Sequence, residues 1–263
     1  MEIVCPAWYS SIEKLIEAIP ELADQGVTAI EVGMGNPEHI DYRNAATLQK
    51  LLEVLGASGV RVHSIHSPFG EPLDISSLDD IVHERGVSGL IQAIELASVI
   101  DADKVIVHAS DRIDGDMTRR MERARGVLRE MGGIASESGI ILALENLPPG
   151  YLGHTPEEII SLLNGTNRDS VAVCFDSGHA NLSGHFPEFA SALLPHAVTT
   201  HLHDNDGTGD QHLYPGLGNI DWRTFSSTFK VLNCKASIML ECKPPENMLW
   251  SEAFQNFRTT LGG

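Results

Sequence analysis

A chain of 263 residues, 42% hydrophobic and 21% charged, has the composition of an ordinary soluble globular protein, and its length suits one large domain spanning residues 1–263. Thirty-six acidic residues against 18 basic ones give a formal charge of −18, a surface that repels phosphate backbones and anionic membranes and so counts against nucleic acid as a partner. No apolar run reaches the length that spans a bilayer. The opening segment MEIVCPAWYS has neither a basic region nor a signal-type apolar core. Four cysteines, Cys5, Cys174, Cys234 and Cys242, form no Cys-x-x-Cys pair. A cytoplasmic protein with reduced, mostly buried thiols is expected.

Short apolar, β-branched runs alternate with longer segments of helical periodicity. The strand at Ile3–Trp8 precedes a helix over Ser11–Gln25, and Val27–Gly33 precedes Ala45–Ala57. Val60–Phe69 leads to Glu84–Ile100, and Lys104–Ala109 leads to the long helix Met117–Ser138. Ile140–Leu147 is followed by Thr155–Leu163, where Thr155 and Glu158 have capping-box spacing. Val171–Asp176 with Pro187–Leu194, Val198–His203 with Trp222–Leu232, and Ala236–Cys242 with Glu252–Leu261 complete the series. Eight such alternations, with strands apolar almost throughout, specify a single (β/α)8 TIM barrel of parallel strands. An open doubly wound sheet is disfavoured, because no glycine-rich phosphate loop follows the first strand.

Polar residues cluster at the C-terminal ends of the predicted strands. They are His63 and His66, His108, Glu145, Asp176 with His179, His201 with His203, and Glu241; Asp210 and His212 follow in the loop after the seventh strand. In a parallel barrel these ends converge on one mouth. Singly, such a histidine is more often just hydrogen-bonded, and such an aspartate more often caps a helix. Glu145, Asp176, His201 and Glu241, however, come from four successive strands. Burying three carboxylates at one level needs a compensating cation. Imidazole with carboxylate is a donor set for manganese, zinc, cobalt or magnesium.

The stretches "HSIHSPFG", "VIVHAS", "LALENLP", "CFDSGHAN", "HLHDNDGTGDQHLYPGLGNIDW" and "IMLECKP" resemble, in order and spacing, the xylose isomerase-like barrel superfamily. That group includes sugar isomerases and epimerases, inosose dehydratases and endonuclease IV. The resemblance to its isomerase and epimerase branch implies one divalent metal on Glu145, Asp176, His201 and Glu241. Metal polarisation of a substrate carbonyl would then acidify the neighbouring C–H, with Glu145 and Glu241 as the catalytic proton-transfer pair. Trp8, His66, Phe69, His179 and His203 would contact the substrate. The resemblance to endonuclease IV implies three zincs and an abasic-site phosphodiesterase. In that arrangement His66, His108 and Glu145 form one site, Glu145, Asp176, His201 and Glu241 a second, and His179, Asp210 and His212 a third.

Charge separates these readings. A nuclease needs basic side chains on the mouth loops. The loop after the third strand carries Glu71, Asp74, Asp79 and Asp80, and that after the seventh carries Asp204, Asp206, Asp210 and Asp221, all read as solvated surface. Only Arg43, Arg112 and Lys243 are expected near the mouth. A small sugar or polyol substrate is therefore favoured, free or phosphorylated. No glycine-rich phosphate turn is evident, since "PPGYLGHT" reads as the turn before the Thr155 cap. A barrel that only binds a ligand is disfavoured by the two glutamates flanking the metal position. A homo-oligomer stays an open alternative.

Overall fold

Eight strands close a barrel in sequence order, each parallel to its neighbours, with the first sealing against the eighth. The computed structural model describes residues 3–35, 44–111 and 115–261. Its strands are β1 (Ile3–Ala7), β2 (Ala29–Gly33), β3 (Arg61–His66), β4 (Lys104–Val107), β5 (Ile141–Glu145), β6 (Val171–Asp176), β7 (Ala197–Leu202) and β8 (Ser237–Leu240). The helices are α1 (Ile12–Asp24), α2 (Ala45–Ser58), α3 (Asp80–Val99), α4 (Met117–Glu137), α5 (Pro156–Leu162), α6 (Ser177–Leu182), α7 (Phe186–Leu193), α8 (Trp222–Val231) and α9 (Trp250–Thr260).

The helices form where apolar residues recur every three or four positions behind a polar cap. In α1 the side chain of Ser11 accepts from the Lys14 amide, and Ile12, Leu15, Ile16, Ile19 and Leu22 make the buried stripe. Asn44, Asp79, Asp116, Thr155 and Asp221 cap α2, α3, α4, α5 and α8 in the same way. Asp79 moves the start of α3 to Asp80, four residues before the expected Glu84. None of the helices among the described residues is long and apolar enough to cross a membrane.

Two expectations are corrected at the loops. Asp74 and Asp204 are not solvated surface: both are buried. Asp74 pairs with Arg120 at 2.6 Å, and Asp204 accepts from the amides of Gly216 and Ile220 and from the Trp222 indole. They are the internal fasteners of the mouth loops. The two arginines expected near the mouth, Arg43 and Arg112, lie outside the described residues.

Candidate metal centre

Register delivers the four candidate ligands to one level. Glu145 and Asp176 end β5 and β6, Asp176 pairs with His201 on β7, and Glu241 follows β8, held by its amide on the Leu202 carbonyl at 3.0 Å. All four are buried. The His201 Nδ1 atom lies 3.3 Å from a Glu145 oxygen and 3.3 Å from a Glu241 oxygen.

The histidines are anchored so that one nitrogen faces this cluster. His66 Nδ1 bonds the Ser67 carbonyl at 2.9 Å, His179 Nδ1 the Asn146 carbonyl at 2.9 Å, and His212 Nδ1 the Glu241 carbonyl at 2.8 Å. A carbonyl oxygen only accepts, so these Nδ1 atoms carry a proton, and in the neutral ring each Nε2 is the atom left with the lone pair. His66 Nε2 then faces Glu145 at 3.5 Å, and His179 and His212 Nε2 both face Asp210 Oδ2, at 3.3 and 3.2 Å. His108 Nε2 reaches Glu145 at 3.3 Å. His203 Nε2 sits 3.1 Å from Asp176, with its ring stacked on His212 at 4.1 Å between centroids. Trp8 and Phe69 complete an aromatic wall against His66, at 5.5 and 4.9 Å, and Phe69 also meets His108 at 4.6 Å. All the site residues expected from the sequence are thus brought together, except one. His63 lies deeper in the barrel, on Ser237 at 2.8 Å and near Thr199. It is the extra residue of a register shift, since Ile30 pairs with Val62 and Glu31 with Ser64.

Asp176 does two jobs. One carboxylate oxygen caps α6, accepting from the His179 amide at 2.6 Å, and the other faces His203. The Asp-x-x-His spacing is therefore a helix cap as well as a donor pair. Asn146 locks this corner, accepting from the Asp176 amide at 2.8 Å and donating to its carbonyl at 3.0 Å. Gly178 makes room for the neighbouring ring, because a Cβ there would fall on His203.

Sequence reasoning missed Glu31. This fully buried residue of β2 places an oxygen 3.1 Å from His201 Nε2 and accepts from Ser64 Oγ at 2.7 Å. A lone acid inside the apolar run Ala29–Gly33 was the available signal.

The electrostatics are those of crowded carboxylates around imidazoles. Burial pushes the Glu241 carboxyl above its ordinary range, with the charges of Glu145 and Asp176 adding to the effect against the pull of His201. Burial works against a charged His201, yet Glu241, Glu31 and Glu145 around it hold its pKa well above the usual value. His201 Nδ1 and Glu241 Oε2 are both buried without a hydrogen-bond partner. Orphaned atoms of these two types, converging beside Glu145, fit a divalent ion. Beside the cluster opens a cleft of about 1120 Å³ whose lining includes Trp8, His212, Glu241 and Lys243. Lys243 is the one Lys or Arg among the described residues that line it, which keeps the cleft poor in positive charge.

Three similarities bear on this site. An uncharacterised protein of Methanocaldococcus jannaschii is 28% identical over 239 residues, covering 88% of this chain and 80% of its own. A probable endonuclease 4 of Sulfurihydrogenibium sp. is 21% identical over 206 residues, covering 72% of each chain. The crystal structure of a D-tagatose 3-epimerase-like protein superposes with a TM-score of 0.86 and 25% identity, covering 100% of this chain and 97% of that one. A family model of the xylose isomerase-like TIM barrel matches residues 19–260, so the chain belongs to that family.

Proposed function

We propose that this protein is a divalent-metal-dependent epimerase or isomerase of a small keto sugar or polyol. The observation that carries the reading is the convergence of Glu145 and Glu241 on the same orphaned nitrogen, His201 Nδ1. Similarity to the D-tagatose 3-epimerase-like structure supports it. Glu145, Asp176, His201 and Glu241 would hold the ion. When bound, a divalent cation polarises a carbonyl and its neighbouring hydroxyl and acidifies the C–H between them. Glu145 and Glu241 then divide the proton work, one carboxylate taking the proton from carbon and the other returning it. His179 and His203 hydrogen-bond substrate hydroxyls, and His66, Trp8 and Phe69 pack against its C–H faces and keep water from one side. The protein would work in the cytoplasm.

The test is proton exchange. The protein loaded in turn with manganese, cobalt, zinc or magnesium is incubated with D-tagatose and related ketohexoses in D2O. Deuterium should appear at the carbon beside the carbonyl, and Glu145→Gln should retain sugar binding but lose exchange. Undiminished exchange in that variant would remove Glu145 from its role. Absence of exchange with every sugar and metal would sink the activity.

A second reading, a three-zinc phosphodiesterase, is favoured by one observation: His179 and His212 converge on Asp210 Oδ2 while His66 and His108 converge on Glu145. Three zincs per chain together with cleavage of an abasic duplex would select it. The presence of just one lysine among the described residues of the cleft's lining weighs the other way.

A further inference from the structure

We infer that Glu31 is a positioning residue that fixes which nitrogen of His201 faces the cluster. The inference rests on the metal reading above. Neutral imidazole carries one N–H. Glu31 Oε2 lies 3.1 Å from His201 Nε2 and can only accept. In the neutral ring, the form that can ligate a metal, it therefore favours the proton on Nε2 and leaves the Nδ1 lone pair toward Glu145 and Glu241. Without Glu31 the ring is free to take the other tautomer. Its Nδ1–H would then donate to either glutamate, each 3.3 Å away, and occupy with a hydrogen bond the place of the ion.

The surroundings of Glu31 point the same way. Ser64 Oγ donates to the same oxygen at 2.7 Å, across a β2–β3 pairing whose register shift falls immediately before Glu31. The shift aims this side chain at β7, across the barrel interior. His66, His179 and His212 are anchored by backbone carbonyls. His201 has a carboxylate in that place, which makes the ring a more basic ligand. The other Glu31 oxygen is buried without a partner. Its burial costs desolvation, which the pairing of its neighbour oxygen with His201 and Ser64 offsets.

The experiment compares wild type with Glu31→Leu, Glu31→Gln and Ser64→Ala, using zinc as the probe. Two quantities are read: zinc affinity by competition with a chelator, and the 15N shifts of His201 in histidine-labelled, zinc-loaded protein. Wild type should show zinc on Nδ1 and a proton on Nε2. Glu31→Leu should lose about 10- to 100-fold in affinity. Glu31→Gln, whose amide oxygen still accepts, should recover part of the loss, and Ser64→Ala should weaken binding by less. If the leucine variant does not fold, the glutamine and alanine variants carry the comparison alone. Affinities within twofold of wild type in the folded Glu31 variants, with the His201 shifts unmoved, overturn the role of Glu31. Wild-type His201 shifts that ignore zinc overturn the metal reading and this inference with it. A loss of affinity accompanied by equal disturbance of the His66 and His108 shifts shows a structural role instead, and overturns the positioning role.

Discussion

His201 Nδ1 and Glu241 Oε2 lie 3.3 Å apart, both sealed from solvent and neither with a hydrogen-bond partner. Left to themselves, such atoms destabilise the barrel. Glu241→Gln should therefore raise the melting temperature of the chelator-treated protein while removing most of its response to metal. Wild type at a hundredfold excess of manganese over Kd should gain about 2.7 kcal/mol, or about 5–11 °C in Tm. Thermal unfolding with chelator and with manganese checks both halves. A glutamine variant that melts below wild type in chelator contradicts the argument.

Gly178→Ala probes the packing of His203. The added methyl would land on a ring held by Asp176 at 3.1 Å and stacked on His212, so the ring cannot step aside without losing a partner. The expected loss is about 1–3 kcal/mol, read by denaturant unfolding, with a fall in metal affinity alongside. Gly33→Ala makes the contrast. Its methyl meets Trp8, which is 40% exposed and can swing outward, so the smaller cost belongs there. Equal losses in the two variants would show that His203 is not confined.

The barrel and the convergence of the four candidate ligands were legible because both are written at strand ends. Glu145, Asp176 and Glu241 each close an apolar run, His201 stands one residue before the end of β7, and strand order alone sends them to one mouth. Glu31 was hidden because it sits within a strand, and its meaning depends on His201, 170 positions away. His63 looked like a strand-end residue until the register shift put it a layer lower. The helix α6 escaped notice because Ser177–Leu182 is a short segment containing glycine, and its cap, Asp176, had already been counted as a ligand. Asp74 and Asp204 sit among polar loop residues, and nothing local distinguishes a buried aspartate from a solvated one when its partner is an arginine 46 positions on.

Thiol chemistry offers a separate check on the core. Cys5, Cys174 and Cys242 are buried, and burial pushes the Cys5 thiol up to about 12 and raises the other two as well. The thiolate is the reactive form. At pH 8 the folded protein should thus react with an alkylating reagent at Cys234 alone, slowly, since that half-buried thiol is also raised by burial and bonds the Leu194 carbonyl. All four should react in denaturant. Rapid native labelling of Cys174, which lies in the barrel interior beside His201, would mean that the interior opens far more readily than its packing implies.

Asp74 tests whether the mouth loops are held from beneath. One of its oxygens accepts from Arg120 on α4 at 2.6 Å and from the Asp111 amide at 3.0 Å, and the other from the amide and hydroxyl of Ser76, each at 2.7 Å. Its backbone packs on α3 so closely that a Cβ at Gly86 would come within 2.8 Å of it. Three segments thus share one buried carboxylate, and the loop it fastens carries Phe69 onto His66 and His108. Asp74→Asn keeps the side chain's size but removes the charge that Arg120 and three other donors share, so it should cost about 3 kcal/mol by equilibrium unfolding. A variant within about 1 kcal/mol of wild type would place this pair among surface ion pairs in its energetics, and would leave the loop's position over the site to be explained by apolar packing alone.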